Sequence, residues 1–241
     1  MLTLQSNDPV AMAVVSAIQK GDVDGLKRLL TEHSDLAKAR IVDASGTARS
    51  LLHVAADWPG HFANGAQTVT TLVAAGADVN ASMSSTQPKH AETPLHWAAS
   101  SNDIAVLDAL IDRGADIEAP GAVFTDGSPM SDAVVFAQWD AARRLLERGA
   151  RTTFWQAASL GLLDRVQEYL ERQHALSREE ITNAFWHACR GGQLETAQYL
   201  LARGAELNWI GYDKKTPLNC ALESGRQDLV AWLRGEGATS A

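Results

Sequence analysis

The sequence predicts an all-α fold, a solenoid of about seven helix-turn-helix units joined by finger loops. Three observations lead to this prediction. A short helix-starting motif recurs several times along the 241 residues. Apolar residues at i, i+3 and i+4 spacing, which is typical of an amphipathic helix, follow the motif. A Gly-Ala pair then closes most copies, at residues 76–77, 114–115, 149–150 and 204–205.

The composition is that of a folded, acidic protein. Hydrophobic residues make up 46% and charged residues 21%, which argues against intrinsic disorder. The 21 Lys and Arg residues against 29 Asp and Glu residues give a net charge of −8, so we expect no nucleic-acid partner. The start of the chain lacks a signal-peptide pattern, and no apolar stretch approaches the roughly 20 residues of a membrane helix. Cys189 and Cys220 form no C-x-x-C motif. We therefore expect a cytoplasmic protein that binds neither a membrane nor a cofactor.

The helix-starting motif is clearest at residues 93–99, which read TPLHWAA. The Thr hydroxyl can cap the free N–H groups of a helix, and Pro fits the first turn, where its missing donor costs nothing. Small Ala residues let the first helix of each pair lie close to its neighbours. The other copies align at residues 50–56, 128–134, 152–158, 183–189 and 216–219, with Trp155 and Trp186 in the position of His96.

The first helix pair lacks the motif but keeps the pattern over residues 10–30. Asp8 is predicted to cap its first helix, with Pro9 at the first helical position. A Lys-Gly-Asp turn at residues 20–22 separates the two helices. Because no single pair can bury its apolar face alone, the pairs are expected to stack into a continuous core, with the terminal pairs as caps.

These motifs resemble the ankyrin repeat, whose Thr-Pro-Leu-His signature recurs about every 33 residues. The resemblance covers almost the whole chain, which is similar to small, stand-alone ankyrin proteins of the bacterial type. It implies a single ankyrin-repeat domain over residues 1–241. Within it, residues 1–45 form an N-terminal capping pair, residues 46–209 the central repeats and residues 210–241 a C-terminal capping repeat. It also implies a rigid surface that binds a protein partner.

The spacing of the motifs distinguishes the second repeat. Successive copies begin at residues 50, 93, 128, 152, 183 and 216, and the first interval, 43 residues, is the longest. It contains an insertion between the two helices at residues 57–63 and a long finger at residues 81–90. Extra residues in a repeat form loops, often on the binding face. Near residue 151, by contrast, there is no room for a finger.

In ankyrin proteins, the finger tips and the last turn of each first helix line the concave face. Carried over to this sequence, the resemblance implies a face that mixes aromatic and polar groups. Trp, Tyr and Arg are the side chains that most often dominate binding energy. The candidate binding residues are Arg49, Asp57, Trp58, His61, Phe62, Lys89, His90, Ser100, Ser101, Phe124, Phe136, Tyr212, Asp213 and Lys215, with Thr47, Glu92 and Thr125 beside them.

A second hypothesis is an enzyme or small-molecule-binding protein that uses an enlarged groove pocket near Asp57, Trp58 and His61. His53, Asp57 and His61 are spaced four apart, which on a helix would place them on one face. Such a set can bind a metal, or Asp57 or His61 can accept a proton. Pro59 and Gly60 interrupt any helix before His61, however. The sequence therefore assigns no catalytic and no metal-binding residue, and the 57–63 loop either contacts a ligand or partner or packs on the next repeat.

Overall fold

The computed structural model describes residues 2–84, 91–172 and 176–241. Within these ranges, fourteen α-helices form seven consecutive pairs, which confirms the predicted helical repeat fold. The chain divides into two compact units, Met1–Ala150 with four pairs and Arg151–Ala241 with three. None of the helices in the described ranges is long and apolar enough to cross a membrane.

In the unit Met1–Ala150, the helices form two layers. The first helices of successive pairs pack on one another in order, and so do the second helices. Ala98 and Ala99, which have no exposed surface, permit the close approach, while Leu95, Leu107 and Met130 fill the core. The helices are α1 (Pro9–Lys20), α2 (Val23–Glu32), α3 (Leu51–Ala56), α4 (Gly65–Ala74), α5 (Pro94–Ser100), α6 (Ile104–Asp112), α7 (Pro129–Val135) and α8 (Trp139–Glu147).

The helix starts in this unit agree with the sequence prediction. The Asp8 carboxylate accepts hydrogen bonds from the N–H groups of Val10 and Ala11, and Pro9 occupies the first turn of α1. At α3, the Ser50 side chain caps the His53 N–H. These bonds are local, which is why short sequence patterns located both helix starts.

The motif histidines join each pair to the next. Nδ1 of His53 accepts the Ser50 N–H at 3.2 Å, so the ring proton lies on Nε2, which donates to the Glu92 carbonyl at 3.0 Å. His96 makes the corresponding bond to the Gly127 carbonyl at 3.2 Å. Burial lowers the pKa of His53 to about 3 and the pKa of His96 to about 4. Both rings are therefore neutral at pH 7, as this bonding requires.

A small β-sheet near the N-terminus was not predicted. Strand β1 (Thr3–Gln5) pairs in parallel with β2 (Arg40–Val42), which pairs antiparallel with β3 (Ala48–Ser50). Ile41 on the central strand is buried. Three-residue strands are too short to show the alternating pattern by which a strand is recognised in a sequence.

In the unit Arg151–Ala241, the long helix α11 packs against α9, α12 and α13. Phe185 and Trp186 on α11 are buried, together with Leu200 and Ala221 on the neighbouring helices. The helices are α9 (Phe154–Ser159), α10 (Leu163–Arg172), α11 (Arg178–Arg190), α12 (Leu194–Ala202), α13 (Pro217–Ser224) and α14 (Gln227–Gly235).

The alignment of the motif at α9 was wrong by one residue. The capping residue is Thr153 rather than Thr152. Gln156, not Trp155, takes the position of the motif histidine, and its side-chain oxygen accepts the Thr153 N–H at 2.8 Å. Two consecutive threonines leave the sequence ambiguous, because either hydroxyl can cap a helix.

Helix α11 begins earlier than the motif at residues 183–189 suggested. Ser177 and Glu180 form a capping box that starts it at Arg178. Trp186 nevertheless replaces the motif histidine as predicted, since its Nε1 donates to the Lys215 carbonyl at 2.9 Å.

Replacing Gly191 by Ala is expected to destabilise the second unit. A methyl group at Gly191 would lie 1.9 Å from the backbone oxygen of Ser159, at the end of α9. Overpacking typically costs about 1–3 kcal/mol. We expect the free energy of unfolding, measured with urea, to fall by an amount near the upper end of this range, because a backbone atom cannot rotate away as a side chain can.

Gly235→Ala is the matched control, because a methyl group there meets no atom within 4 Å. Gly235 ends α14, so this change is expected to be neutral or to stabilise by up to about 1 kcal/mol. Equal free energies of unfolding for the two variants would contradict the close approach at Gly191.

Candidate binding face

The inserted loop between α3 and α4 is anchored by its backbone. The His61 N–H donates to an Asp103 carboxylate oxygen at 2.6 Å, and the Gly60 N–H donates to the Asp57 carbonyl at 2.7 Å. Gly60 also lies against Ser101 and Asp103, which belong to the turn of the next pair. The Trp58 side chain is left 79% exposed. The loop backbone thus packs on the next repeat while Trp58 remains available for contact.

Arg49 and Asp57 form an ion pair at the start of this loop. Arg49 Nη1 lies 2.6 Å from Asp57 Oδ2, and both side chains are about a quarter exposed, at 29% and 27%. Burial raises the pKa of Asp57, although the Arg49 charge opposes the rise. The Arg49 guanidinium also lies 6.0 Å from the centre of the Trp97 ring. Arg49 therefore connects the inserted loop to α5.

Trp97 continues this line of contacts toward the next finger. Its Nε1 donates to Glu92 Oε2 at 3.3 Å, and its ring meets the His53 ring edge-on at 5.0 Å. The Glu92 backbone is held as well, because its carbonyl accepts the bond from His53. Both ends of Glu92 are thus positioned by neighbouring pairs, and its side chain is partly exposed.

Asp132 on α7 is a buried carboxyl group that lies next to Glu92. Only 1% of its surface is exposed, and neither oxygen accepts a hydrogen bond of normal geometry from the described residues. Burial and the Glu92 carboxyl raise the pKa of Asp132 to about 8, and the Val123 N–H opposes this only weakly. Two carboxyl groups can share a hydrogen bond only if one is protonated. Asp132, which together with Glu92 is called the carboxyl pair below, is therefore mostly protonated at pH 7.

Two exposed phenylalanines adjoin the carboxyl pair. Phe124 and Phe136, called the aromatic pair below, are 70% and 43% exposed, with ring centres 5.9 Å apart. Phe136 caps the C-terminal end of α7, where its N–H donates to the Asp132 carbonyl at 2.9 Å. Phe124 directly follows Val123, whose N–H acts on the Asp132 carboxyl. The exposed rings of Phe124 and Phe136 are thus linked through the backbone to the buried carboxyl group of Asp132.

The remaining candidate residues of the first unit differ in how far their side chains are exposed to solvent. Phe62 and Ser100 are partly exposed. Ser101 is buried, and its hydroxyl donates to the Ala56 carbonyl at 3.1 Å, so it links two pairs inside the fold. Lys89 and His90 lie outside the described residues.

In the second unit, Tyr212 belongs to an aromatic cluster. Its ring lies 5.4 Å from Trp186, 5.9 Å from His187 and 6.1 Å from Trp209, and the side chain is 56% exposed. Asp213 is exposed, whereas Lys215 pairs with Glu223 at 2.8 Å. Burial lowers the pKa of His187 to about 3. This cluster is therefore neutral at its centre, unlike the face of the first unit.

The groups proposed for acid–base chemistry are not brought together. No hydrogen bond or ion pair joins Asp57 to His61 within the described ranges, because Asp57 pairs with Arg49 and the loop turns at Gly60 and His61, which have positive φ angles. In the same ranges, no three His, Cys, Asp or Glu side chains are arranged to hold a metal ion.

The sequence analysis missed Asp132. It occupies the motif position filled by Val54 and Trp97 in the preceding copies, among the buried residues Met130, Ala133 and Val134. A charged residue in an otherwise apolar position was the available signal, since charges are rarely buried without a partner.

Asp132→Asn is expected to stabilise the protein, by an amount that grows with pH. The folded-state pKa of about 8 exceeds the ordinary value of 3.8. The wild type therefore loses stability as the pH rises from 3.8 to 8, by at most about 1.4 kcal/mol per pH unit. Asn cannot ionise and escapes this loss, so urea unfolding at pH 5, 6.5, 8 and 9 should give a difference that rises and then levels off.

Asp140→Asn, which alters an exposed carboxylate on α8, is the control. Its stability difference from the wild type should stay small at every pH. If the curves of Asp132→Asn and the wild type run parallel, the raised pKa of Asp132 is disproved.

Comparisons with known proteins agree on one kind of repeat. A family model described as ankyrin repeats in three copies matches residues 154–240, and a model of a single ankyrin repeat matches residues 90–119. A crystal structure of the human ASB11 ankyrin repeat domain covers 94% of this chain and 98% of its own, with a TM-score of 0.53 and 20% sequence identity. At that identity, the likeness shows the fold alone.

Two curated proteins from nematodes are similar in sequence. The ankyrin repeat and KH domain-containing protein CBG24701 of Caenorhabditis briggsae is 26% identical over 171 residues, 71% of this chain. The similarly named mask-1 of Caenorhabditis elegans is 26% identical over 182 residues, 72% of this chain. The chain spans only 5% and 7% of the length of these relatives.

Proposed function

We propose that this chain, which belongs to the ankyrin-repeat family, is a protein-interaction module that binds a protein partner through the concave groove lined by the first helices of its repeats. The observation that carries the proposal lies in the unit Met1–Ala150. There, Trp58, Phe124 and Phe136 are exposed at the C-terminal ends of first helices or in the loops beside them. Exposed aromatic groups beside polar ones mark binding surfaces, and they supply much of the energy of association.

The support around these side chains is rigid. The backbone of the inserted loop is bonded to Asp103, and the finger base at Glu92 is bonded to His53. A surface that is already ordered loses little conformational entropy on binding. The described loops that carry these aromatic side chains can therefore bind without first folding.

This geometry does not support the enzyme hypothesis. Asp57 forms an ion pair with Arg49, and no hydrogen bond or ion pair joins Asp57 to His61 among the described residues. We propose no catalytic residue. We also propose a cytoplasmic setting, which the free, buried thiols of Cys189 and Cys220 support, since oxidising compartments favour disulfides.

The test compares the wild type with the variant Trp58→Ala/Phe124→Ala/Phe136→Ala. Each protein is immobilised and used to capture partners from a lysate of the native host, and bound proteins and metabolites are identified by mass spectrometry. We expect protein partners that bind the wild type and are lost from the triple variant, with a fall in affinity of at least roughly 30-fold, because even one interface aromatic that acts as a hot spot contributes about 2 kcal/mol.

Gln67→Ala is the control, since Gln67 is exposed on α4, which is a second helix and does not line the proposed groove. It should retain every partner. Partners that bind the triple variant as well as the wild type would contradict the groove, and a captured metabolite without any protein would favour the small-molecule hypothesis.

A further inference from the structure

We propose that the second unit carries a docking site for an extended, proline-rich segment of the protein partner. The inference rests on the proposed function and adds the chemistry of one segment of the partner. The site is a set of neighbouring rings, called the aromatic row below, formed by Trp155, Trp186, His187, Trp209 and Tyr212. All five residues belong to the second of the two compact units.

The rings of the aromatic row follow one another at short intervals. The centre of the His187 ring lies 4.6 Å from that of Trp155 and 5.9 Å from that of Tyr212. Among the described residues, no ring contact joins Trp155 directly to Tyr212, so His187 separates them. A polyproline II helix rises about 9 Å over its three-residue turn. The two steps on either side of His187 are therefore comparable to the spacing of residues along one side of such a helix.

The aromatic row presents accessible rings on a buried base. Tyr212 is more than half exposed, and Trp155 and Trp209 are partly exposed. His187 and Trp186 are buried, with 6% and 2% of their surface exposed. A ligand would therefore contact the outer rings, while the buried ones hold these rings in place.

The finger that carries Tyr212 is already ordered. The Lys215 carbonyl accepts hydrogen bonds from Trp186 Nε1 and from the Gly211 N–H, both at 2.9 Å. A methyl group at Gly211 would lie 2.5 Å from the Trp209 ring, so the packing of this ring needs glycine there. An aromatic surface that is ordered before binding loses little conformational entropy when a ligand binds.

Polar groups on the outer rings select the backbone conformation of the ligand. Among the described residues, no acceptor pairs with Nε1 of Trp155, Nε1 of Trp209 or Oη of Tyr212. A polyproline II segment has no internal hydrogen bonds, so its carbonyl groups can accept from such donors, and aromatic-lined surfaces are where such segments dock.

Other backbone conformations fit the aromatic row less well. Most carbonyl groups of an α-helix are already bonded within the helix and cannot accept from the ring donors. A partner that adds a strand needs an exposed sheet edge, and the described part of the second unit contains no strand. An extended, proline-rich segment is therefore the occupant that matches both the rings and their donors.

The charges around the aromatic row favour an uncharged occupant. His187 is neutral at pH 7, since burial lowers its pKa to about 3. The Arg190 guanidinium lies 6.0 Å from the centre of the Trp186 ring, so a cationic ligand would meet a like charge there. The carboxylates of Asp213 and Glu223 act electrostatically on Arg190, so these acidic groups already have a cation beside them. Proline rings are apolar and avoid this repulsion.

The test begins with a random peptide library displayed on phage and selected on the whole immobilised chain at pH 7. A parallel selection uses the variant Trp155→Ala/Tyr212→Ala, or Tyr212→Ala alone if the double variant does not fold. Peptides that only the wild type enriches should share two prolines about three residues apart. The best peptide is then synthesised as selected and with alanine in place of each proline, and calorimetric titration gives both affinities.

We expect Tyr212→Ala to weaken the selected peptide roughly 30-fold, as for the loss of an aromatic hot spot. Tyr212→Phe, which removes only the donor, should weaken it roughly fivefold. The alanine peptide should bind the wild type at least about tenfold more weakly, because it is not held in the extended form before binding. Tyr199→Ala is the matched control and should change neither affinity, since Tyr199 lies on the second helix α12.

The outcomes separate this inference from the proposed function. A selection that enriches no peptide on the wild type overturns the docking site. So do selected peptides that lack proline or that bind Tyr212→Ala as tightly as the wild type. The variant Trp58→Ala/Phe124→Ala/Phe136→Ala should bind the proline-rich peptide normally, because its three substitutions lie in the first unit. If that variant loses the partners captured from the lysate, the interaction module stands even when the docking site fails.

Discussion

One kind of hydrogen bond organises this protein. A ring N–H on a first helix donates to a backbone carbonyl at the base of the next finger. His53 bonds Glu92, His96 bonds Gly127 and Trp186 bonds Lys215. Each bond fixes where the following loop leaves the stack. The contact that aligns these repeats therefore also holds the backbone of Glu92, whose side chain accepts a hydrogen bond from Trp97.

Local interactions explain how far the sequence could predict the fold. The caps at Asp8 and Ser50 involve residues two or three apart, so local sequence patterns located those helices correctly. At α9, the choice between Thr152 and Thr153 depends on which hydroxyl meets Gln156 in space, and the sequence did not decide it. The short β-sheet depends on pairing between Thr3 and Arg40, which are distant in the chain.

The candidate face was predictable only where it follows from the repeat. Arg49, Asp57, Trp58 and the aromatic pair occupy positions that the family resemblance marks as concave. Asp132 was missed because aligning a motif treats its positions as interchangeable, whereas the role of this residue comes from Glu92, which precedes the motif of another repeat. A contact between repeats exists only once they are stacked.

The buried neutral imidazoles, two of which align the repeats, also make the protein labile to acid. Burial holds the pKa values of His53, His96 and His187 at about 3, 4 and 3, below the ordinary value of 6.5. Below pH 6.5, these histidines bind protons in the unfolded chain but not in the folded one. Each ring then removes up to about 1.4 kcal/mol of stability per pH unit. As the pH falls below 6.5, the folding equilibrium would therefore shift toward the unfolded chain.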